Sequence, residues 1–218
     1  MKKNSPLYIV LFMMIVTLVC GAAIAYVQST MKETLAANAR LARNRTIASA
    51  FNLTVTDQTA AAYDNILAEN LTTDTLTGAG APIEMFTTKK TPASVGFIFS
   101  GMGFWDYISG IMVLSPDLSE IRSLRIIEQK ETPGLGARIT EKSFTDLFAD
   151  FPLRSATAGQ LHFKFGEPAA ENGRKIDALT GATQTSLALE RIINSELDRF
   201  ITAYAKSRNR NTVSGSGE

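Results

Sequence analysis

The chain has 218 residues, of which 45% are hydrophobic, so it is long enough for one domain with a buried core and further segments. Its net charge of +1, from 22 basic and 21 acidic residues, argues against nucleic-acid binding, because neutralising phosphates requires clustered cations. A single histidine and a single cysteine exclude a Cys/His zinc site, an intrachain disulfide and a cysteine-bound iron–sulfur cluster, so redox chemistry would need a bound organic cofactor.

An uncharged apolar run, LYIVLFMMIVTLVCGAAIAYV at residues 7–27, is long enough to cross a bilayer as a helix. Lys2 and Lys3 precede it, as basic residues on the cytoplasmic side of a membrane do. A cleaved signal peptide is the alternative, because Ala23-Ile24-Ala25 forms an A-x-A site. The run is longer than a usual signal core, which favours a single-pass transmembrane anchor at residues 1–28. Either interpretation places the main body outside the cytoplasm.

A helical pattern continues after the apolar run, over residues 28–50, with charged residues between the apolar positions. A second, short helix is predicted at residues 59–69. The segment LTTDTLTGAGAP at residues 71–82 is a loop by composition. Residues 29–82 are therefore predicted to form a helical stalk and a linker.

Five segments with the pattern of β-strands follow the linker, at residues 83–86, 95–100, 107–114, 121–128 and 161–165. The fourth segment alternates apolar and polar residues, with a slip near Ser123. Short segments rich in Thr, Pro, Ser and Gly separate most of the strands, which is typical of turns. This arrangement predicts an antiparallel sheet.

The clearest predicted element is an amphipathic helix whose apolar residues recur at steps of three and four from Leu189 to Tyr204. A shorter helix is predicted at residues 140–148, and the polar tail at residues 207–218 is predicted to be disordered. The predicted fold class is α+β. An antiparallel sheet with packed helices occupies residues 83–206, behind one N-terminal transmembrane helix and a helical stalk.

Three glycine-bearing stretches stand at strand ends or at a helix start: SGMGFWDYISG at residues 100–110, ETPGLG at 131–136 and DALTGATQTS at 177–186. Loops held by a rigid scaffold carry binding groups, and glycine lets the backbone approach a ligand closely. Trp105, the only tryptophan, could stack on a flat ring. Taken singly, each stretch is also explained by a tight turn or a capped helix start.

The third stretch runs into the last helix, whose first turn has unpaired N–H groups and a partial positive charge. Such a helix start is suited to bind phosphate. Thr180 lies near the predicted cap, Gly181 lies where a ligand could approach, and Thr183 falls in the first turn. A phosphate held there could be hydrogen-bonded or esterified to Thr183. The residues by themselves predict an anion site.

The segment Asp177-x-x-Thr180-Gly181-Ala182-Thr183 resembles the D-x-x-[ST]-G-A-T flavinylation signature of bacterial FMN-binding domains. ETPGLG and the GxGFW within the first stretch resemble two further signatures of that family, in the same order. The family includes the C subunit of the Na+-translocating NADH:quinone reductase and the G subunit of the Rnf electron-transport complex. The resemblance covers residues 83–205, and the N-terminal anchor also fits it.

The resemblance implies that FMN is the cofactor and that it is covalent. Thr183 would hold FMN through a phosphoester bond made by a separate flavin transferase. The residues that this transferase would recognise are Asp177, Thr180, Gly181 and Ala182. The residues implied to lie against the flavin are Thr132, Leu135 and Gly136, with Trp105 at the border of its ring.

The function that follows from the resemblance is electron transfer in an ion-translocating oxidoreductase complex of the Rnf or Nqr type. The expected partners are the other subunits of a membrane redox complex, the flavin transferase and membrane lipid, with no nucleic acid. No catalytic acid or base and no metal are expected. The expected location is the bacterial inner membrane, with the main domain on the periplasmic or extracytoplasmic side. The alternative is a membrane-tethered structural or ligand-binding module without flavin.

Overall fold

The computed structural model describes residues 6–78, 80–155, 157–169 and 173–214, and it describes side chains as far as residue 208. The chain divides into two compact units, Met1–Ala42 and Arg43–Glu218. Helix α1 spans Pro6–Ala50, so the apolar run and the helical pattern predicted at residues 28–50 form one continuous helix. Among the described residues, α1 is the one helix that is long and apolar enough to cross a membrane, and its most apolar window is not buried.

The second unit is built on an antiparallel sheet whose strands, in the described part of the chain, lie side by side in chain order. Helix α2, Ala60–Asn70, precedes the sheet. The strands are β1 Leu71–Leu76, β2 Ile83–Thr88, β3 Val95–Met102, β4 Tyr107–Leu114, β5 Glu120–Glu128 and β6 Phe151–Pro152. A short helix α3, Lys142–Thr145, and the long helix α4, Thr183–Ser214, complete the unit. The predicted α+β class is confirmed.

Both faces of the sheet are buried, which explains why β4 is apolar at nearly every position of its second half. Successive residues of a strand point to opposite faces. Met112 and Leu114 belong to the core that includes α4, whereas Ile111 belongs to a second core that includes the end of α1. Between β3 and α4, Phe97 stacks on Phe200 with ring centroids 4.3 Å apart. The sheet is thus fixed from both sides.

Strand β1 lies in a segment for which the sequence predicts a loop. Only its two ends, Leu71 and Leu76, are buried, and the four polar residues between them are exposed, so the strand has no apolar alternation to identify it. Backbone pairing with β2 over its full length, from Leu71 opposite Thr88 to Leu76 opposite Ile83, holds it in the sheet. The sheet therefore begins inside the segment assigned to the linker.

The slip that the sequence shows near Ser123 corresponds to an irregularity in the pairing of β4 with β5. Val113 lies opposite Ser123 and Leu114 lies opposite Ile121, which leaves Arg122 as an extra residue on β5. A bulge of this kind shifts the alternation of side chains by one position.

The segment at residues 161–165, which the sequence predicts to be a strand, has no regular secondary structure. Side chains of α4 replace the missing partner strand. Asn194 Oδ1 accepts from the N–H groups of His162 (2.8 Å) and Phe163 (3.0 Å), and Asn194 Nδ2 donates to Phe163 O at 2.8 Å. Phe165 N donates to Glu190 Oε2 at 2.8 Å. Residues 161–165 do alternate apolar and polar side chains, but their backbone groups form hydrogen bonds with side chains of α4 and not with another strand.

The helix predicted at residues 140–148 is reduced to α3 with a 3₁₀ turn on each side, Gly136–Thr140 and Asp146–Phe148. Aromatic contacts hold this irregular segment against residues 151–165. The rings involved are Phe144, Phe148, Phe151, Phe163 and Phe165.

Helix α4 continues to Ser214, beyond the apolar pattern, which ends at Tyr204. The sequence predicts disorder for this polar segment because it has too few apolar residues to pack. An existing helix can be extended at little cost once its nucleus has formed, which explains the difference. Residues 215–218 lie outside the described residues.

The Asn194 side chain generates a prediction about stability. Asn194→Ala leaves the N–H groups of residues 162 and 163 without their acceptor, so we expect the free energy of unfolding to fall by about 2–4 kcal/mol. Ser195→Ala, at the neighbouring exposed position of α4, is the control and should change it by less than about 0.5 kcal/mol. Urea unfolding of the detergent-solubilised protein measures both, and equal effects of the two substitutions would refute this role of Asn194.

Candidate functional site

The three glycine-bearing stretches meet around one open cavity of about 300 Å³. Its lining residues are Phe104, Trp105, Thr132, Leu135, Gly136, Gly181, Ala182, Thr183, Gln184 and Thr185. All the predicted site residues except Asp177 and Thr180 are in this set. Residues as far apart in the sequence as Phe104 and Thr185 thus contribute to a single site.

The first stretch forms a tight turn between β3 and β4. Gly103 N donates to Asp106 O at 2.9 Å, and Asp106 is paired with Lys130 at 2.8 Å. The hydrogen bond from Lys130 is the main reason why the pKa of Asp106 is lowered. At the tip of the turn, Phe104 and Trp105 form an edge-to-face pair with centroids 5.1 Å apart, and both rings are more than half exposed. The turn therefore presents two aromatic rings at the cavity.

The second stretch also forms a turn, which brings Leu135 to the cavity. Leu135 N donates to Thr132 O at 3.1 Å across Pro133 and Gly134. Gly134 has φ +74°, so Pro followed by a left-handed glycine gives the sequence of a type II turn. Leu135 packs closely on the third stretch, since a Cβ at Gly181 would lie 3.3 Å from Leu135 Cδ2.

The third stretch ends at the N-terminus of α4. Ala182 O accepts from Ser186 N at 3.0 Å, so Ala182 is the N-cap and Thr183 is the first helical residue. Gly181, with φ +78°, makes the turn into the helix in a conformation that residues with a Cβ rarely adopt. The Thr183 side chain is exposed at the cavity, beside the first-turn N–H groups that have no partner within a helix. This is the arrangement that the sequence predicts for an anion site.

A buried carboxylate, Glu131, joins the three stretches, and its side chain is only 4% exposed. Oε1 accepts from the N–H groups of Phe104 (2.9 Å) and Trp105 (3.0 Å). Oε2 accepts from Thr185 Oγ1 at 2.7 Å. These three partners are all donors, which suits an ionised carboxylate. Glu131 therefore fixes the first turn and the start of α4 relative to the second turn, to which it belongs.

The packing around Glu131 leaves no room for side chains at two glycines. A Cβ at Gly103 would lie 2.5 Å from Glu131 Oε1. A Cβ at Gly136 would collide with Thr185 Oγ1 and would lie 3.0 Å from the Glu131 Cβ. Glycine is therefore required at positions 103 and 136, because the three stretches approach one another too closely there to leave room for a Cβ.

Four residues of this site are absent from the sequence predictions: Phe104, Glu131, Gln184 and Thr185. The signal that could have found Glu131 is its place as the first residue of ETPGLG, three residues after the end of a predicted strand. The sequence holds no comparable signal for Thr185, because Thr185 is one of several hydroxyl residues in DALTGATQTS and Ser186 beside it is buried as well.

Asp177 and Thr180 lie on the surface, outside the lining of the cavity. The Asp177 carboxylate is 3.2 Å from Lys175 Nζ, and its side chain is 70% exposed. Both residues are therefore accessible to another protein. His162, the single histidine, lies elsewhere, fully buried against Ser155 O and Asp198.

All the residues that line the cavity fall within a region that matches a known protein family. Residues 103–198 match the model of the FMN-binding domain, a range that includes the second and third stretches and the first from Gly103 onward. This region belongs to the FMN-binding domain family. The resemblance inferred from the three sequence motifs is thereby confirmed.

Two curated relatives of the FMN-binding domain are similar over part of their length. The G component of the ion-translocating oxidoreductase complex of Methanosarcina acetivorans is 33% identical over 85 residues, which is 39% of this chain and 39% of the relative. The C component of the Na(+)-translocating NADH-quinone reductase of Pasteurella multocida is 34% identical over 89 residues, which is 40% of this chain and 34% of the relative. The similarity thus spans well under half of these two relatives.

Two solved structures share the fold over most of the chain. NqrC of Shewanella oneidensis superposes with a TM-score of 0.64 at 18% identity, covering 79% of this chain and 99% of that one. The corresponding C component of the Na(+)-translocating NADH-quinone reductase of Parabacteroides distasonis gives a TM-score of 0.65 at 16% identity, covering 78% and 95%. At these identities the likeness concerns the fold.

The crowded position of Gly136 generates a prediction for the cavity. Gly136→Ala should push Thr185 away from Glu131, because a Cβ at position 136 has no room beside the Thr185 hydroxyl. The free energy of unfolding should fall by about 1–3 kcal/mol. The fluorescence emission of Trp105, the only tryptophan, should change, because the Trp105 N–H donates to Glu131. The control is Gly166→Ala, where the backbone is strained at φ +74° but open space surrounds the new Cβ. Its Trp105 emission should match the wild type. Unchanged emission in Gly136→Ala would contradict the described contact.

Proposed function

We propose that this protein is a membrane-anchored electron-transfer subunit that carries FMN linked through its phosphate to Thr183. The observation that carries the proposal is the position of the Thr183 hydroxyl. It lies at the first helical residue of α4 and lines the same cavity as Leu135 and Trp105. The match to the FMN-binding domain indicates FMN as the cofactor. The cavity gives a physical reason why Thr183 would be the attachment point.

The residues of the cavity are suited to FMN in both polarity and shape. One part is made of aromatic and apolar side chains, Phe104, Trp105 and Leu135, which can pack on a flat ring. The other part is the start of α4, where N–H groups and the helix dipole favour a phosphate. The cavity volume falls at the lower end of the range of small-molecule sites, and its open side leaves room for the remainder of the cofactor.

Attachment through Thr183 would form a bond between Thr183 Oγ and phosphorus. The P–O bond from that phosphorus to its leaving group, the nucleoside monophosphate part of a flavin dinucleotide, would break, and the hydroxyl proton would pass to a base of the flavin transferase. The exposed positions of Asp177 and Thr180 support their role as residues that the transferase recognises, because a macromolecule can reach them without entering the cavity. Gly181 and Ala182 would then present the Thr183 hydroxyl at the turn.

When bound, FMN supplies the capacity to accept and donate electrons. The residues that line the cavity would hold the cofactor and would shield part of it from water. Phe104 and Trp105 are 51% and 63% exposed, so the rim of the cavity is available for contact with a partner protein. Electron transfer between docked subunits then depends on the distance between the redox centres and on their reduction potentials. This supports a relay function within an ion-translocating oxidoreductase complex, of the kind to which the named relatives belong.

The proposed location is the cytoplasmic membrane, with the FMN-binding domain on the periplasmic or extracytoplasmic side. The apolar part of α1, which is unburied in the structure, supports contact with membrane lipid. Lys2 and Lys3 before this segment favour a cytoplasmic N-terminus. A phosphoester would keep FMN on the protein in a compartment from which a dissociated cofactor is lost.

The attachment is tested by Thr183→Ala in a host that contains the flavin transferase. We expect no flavin fluorescence on the denatured protein band, because no hydroxyl remains to form the ester. Gln184→Ala, a substitution at the adjacent residue that also lines the cavity, is the control and should keep most of the fluorescence. Fluorescence that survives in Thr183→Ala would refute the attachment point. A wild-type band without fluorescence would favour a module without flavin.

The topology is tested by cysteine labelling, since Cys20 is the only cysteine of the chain. In a Cys20→Ser background, Lys142→Cys places a thiol at a side-chain position that is 83% exposed in the second unit, and Lys3→Cys places one before the apolar segment. On intact cells, or spheroplasts if there is an outer membrane, a membrane-impermeant maleimide should label Lys142→Cys, whereas Lys3→Cys should react only after permeabilisation.

The reverse labelling pattern would contradict the proposed orientation. The intact mass of the extracted protein provides a second check, because a mature N-terminus at Tyr26 would identify residues 1–25 as a cleaved signal peptide.

A further inference from the structure

Glu131 is the one acidic residue, in the described part of the chain, whose carboxylate hydrogen-bonds to residues lining the cavity. It is almost fully buried, and its three donors belong to Phe104, Trp105 and Thr185, all of which line the cavity. The carboxylate thus lies directly behind the cavity wall. Burial reduces screening of its charge by water, so the charge acts more strongly there than a surface charge would.

Other charged groups near this turn compensate one another. An exposed ion pair at 2.8 Å joins Asp106, in the first turn, to Lys130, the residue before Glu131. The Glu131 carboxylate, by contrast, is matched by hydrogen-bond donors and not by a cation within 4.0 Å in the described residues. Its negative charge therefore remains as a net contribution to the field in the cavity.

We propose that Glu131 is a positioning residue with a second role, in which its buried negative charge lowers the reduction potential of the flavin held in this cavity. The inference rests on the proposed FMN site. Reduction adds electrons to the group in the cavity, and a fixed negative charge behind the wall makes that addition less favourable. The same carboxylate holds the two turns and the start of α4 in place. Positioning and tuning can be separated because positioning requires the hydrogen bonds of the carboxylate, whereas tuning requires its charge.

Glu131→Gln removes the charge and can keep the geometry. The amide oxygen can still accept from Phe104 and Trp105, and the amide NH₂ can donate to Thr185 Oγ1. We expect covalent flavin and Trp105 emission as in the wild type. The ratio of reduced to oxidised flavin at a fixed solution potential should rise roughly tenfold, as for one elementary charge acting through a partly solvated wall.

Thr185→Val makes the opposite change, because it keeps the Glu131 charge and removes one of its donors. We expect altered Trp105 emission, since the tie between the first turn and α4 is weakened. The reduced-to-oxidised ratio should fall below the wild type, because the carboxylate charge is less compensated. Asp106→Asn is the matched control: it removes a charge from the same turn, but one that is exposed and paired, and should change the ratio by less than about twofold.

The measurement is a spectroelectrochemical titration of the full-length protein carrying its covalent flavin, with Trp105 emission recorded on the flavin-free form of each variant. A wild-type ratio in Glu131→Gln, or a ratio in Thr185→Val at or above the wild type, overturns the tuning role. A larger effect of Asp106→Asn than of Glu131→Gln also overturns it. Absence of covalent flavin from the wild type itself would instead refute the proposed function, so the two failures are distinguishable.

Discussion

The buried carboxylate of Glu131 is the constraint on which the rest of the site depends. A carboxylate removed from water must be matched by donors, and here two come from a turn before β4 and one from the first turn of α4. Satisfying these donors brings three distant segments to within hydrogen-bonding distance. It also explains the glycines at positions 103 and 136, where a Cβ would collide with the groups that meet at Glu131. The cavity lies next to the point where these three segments meet.

The sheet makes this junction possible because it holds the three segments at one place. The first turn joins β3 to β4, the ETPGLG turn begins three residues after the end of β5, and α4 packs along β3. With both faces of the sheet buried, these strands have a fixed register, including the bulge at Arg122. A rigid frame of this kind is what a cofactor site with a single covalent attachment requires, since the remaining contacts must be preorganised by packing.

Periodicity was sufficient to predict the central strands and the amphipathic part of α4, because these segments bury one set of side chains at regular spacing. It failed for β1, which is held by backbone pairing at the edge of the sheet, and for residues 161–165, whose alternation is real but whose partners are Asn194 and Glu190 on a helix. The motifs predicted most of the cavity lining. The role of Glu131 in joining the three stretches could not be predicted, because the groups that donate hydrogen bonds to its carboxylate are distant in sequence.

The proposed attachment of FMN to the Thr183 hydroxyl can be tested by mass spectrometry of proteolytic peptides. The wild-type protein would be purified from membranes that contain a flavin transferase. If Thr183 carries FMN, the peptide containing Thr183 should be heavier by FMN less one water, and fragmentation should assign the added mass to Thr183. An unmodified Thr183 peptide, or the same added mass on another residue, would contradict it.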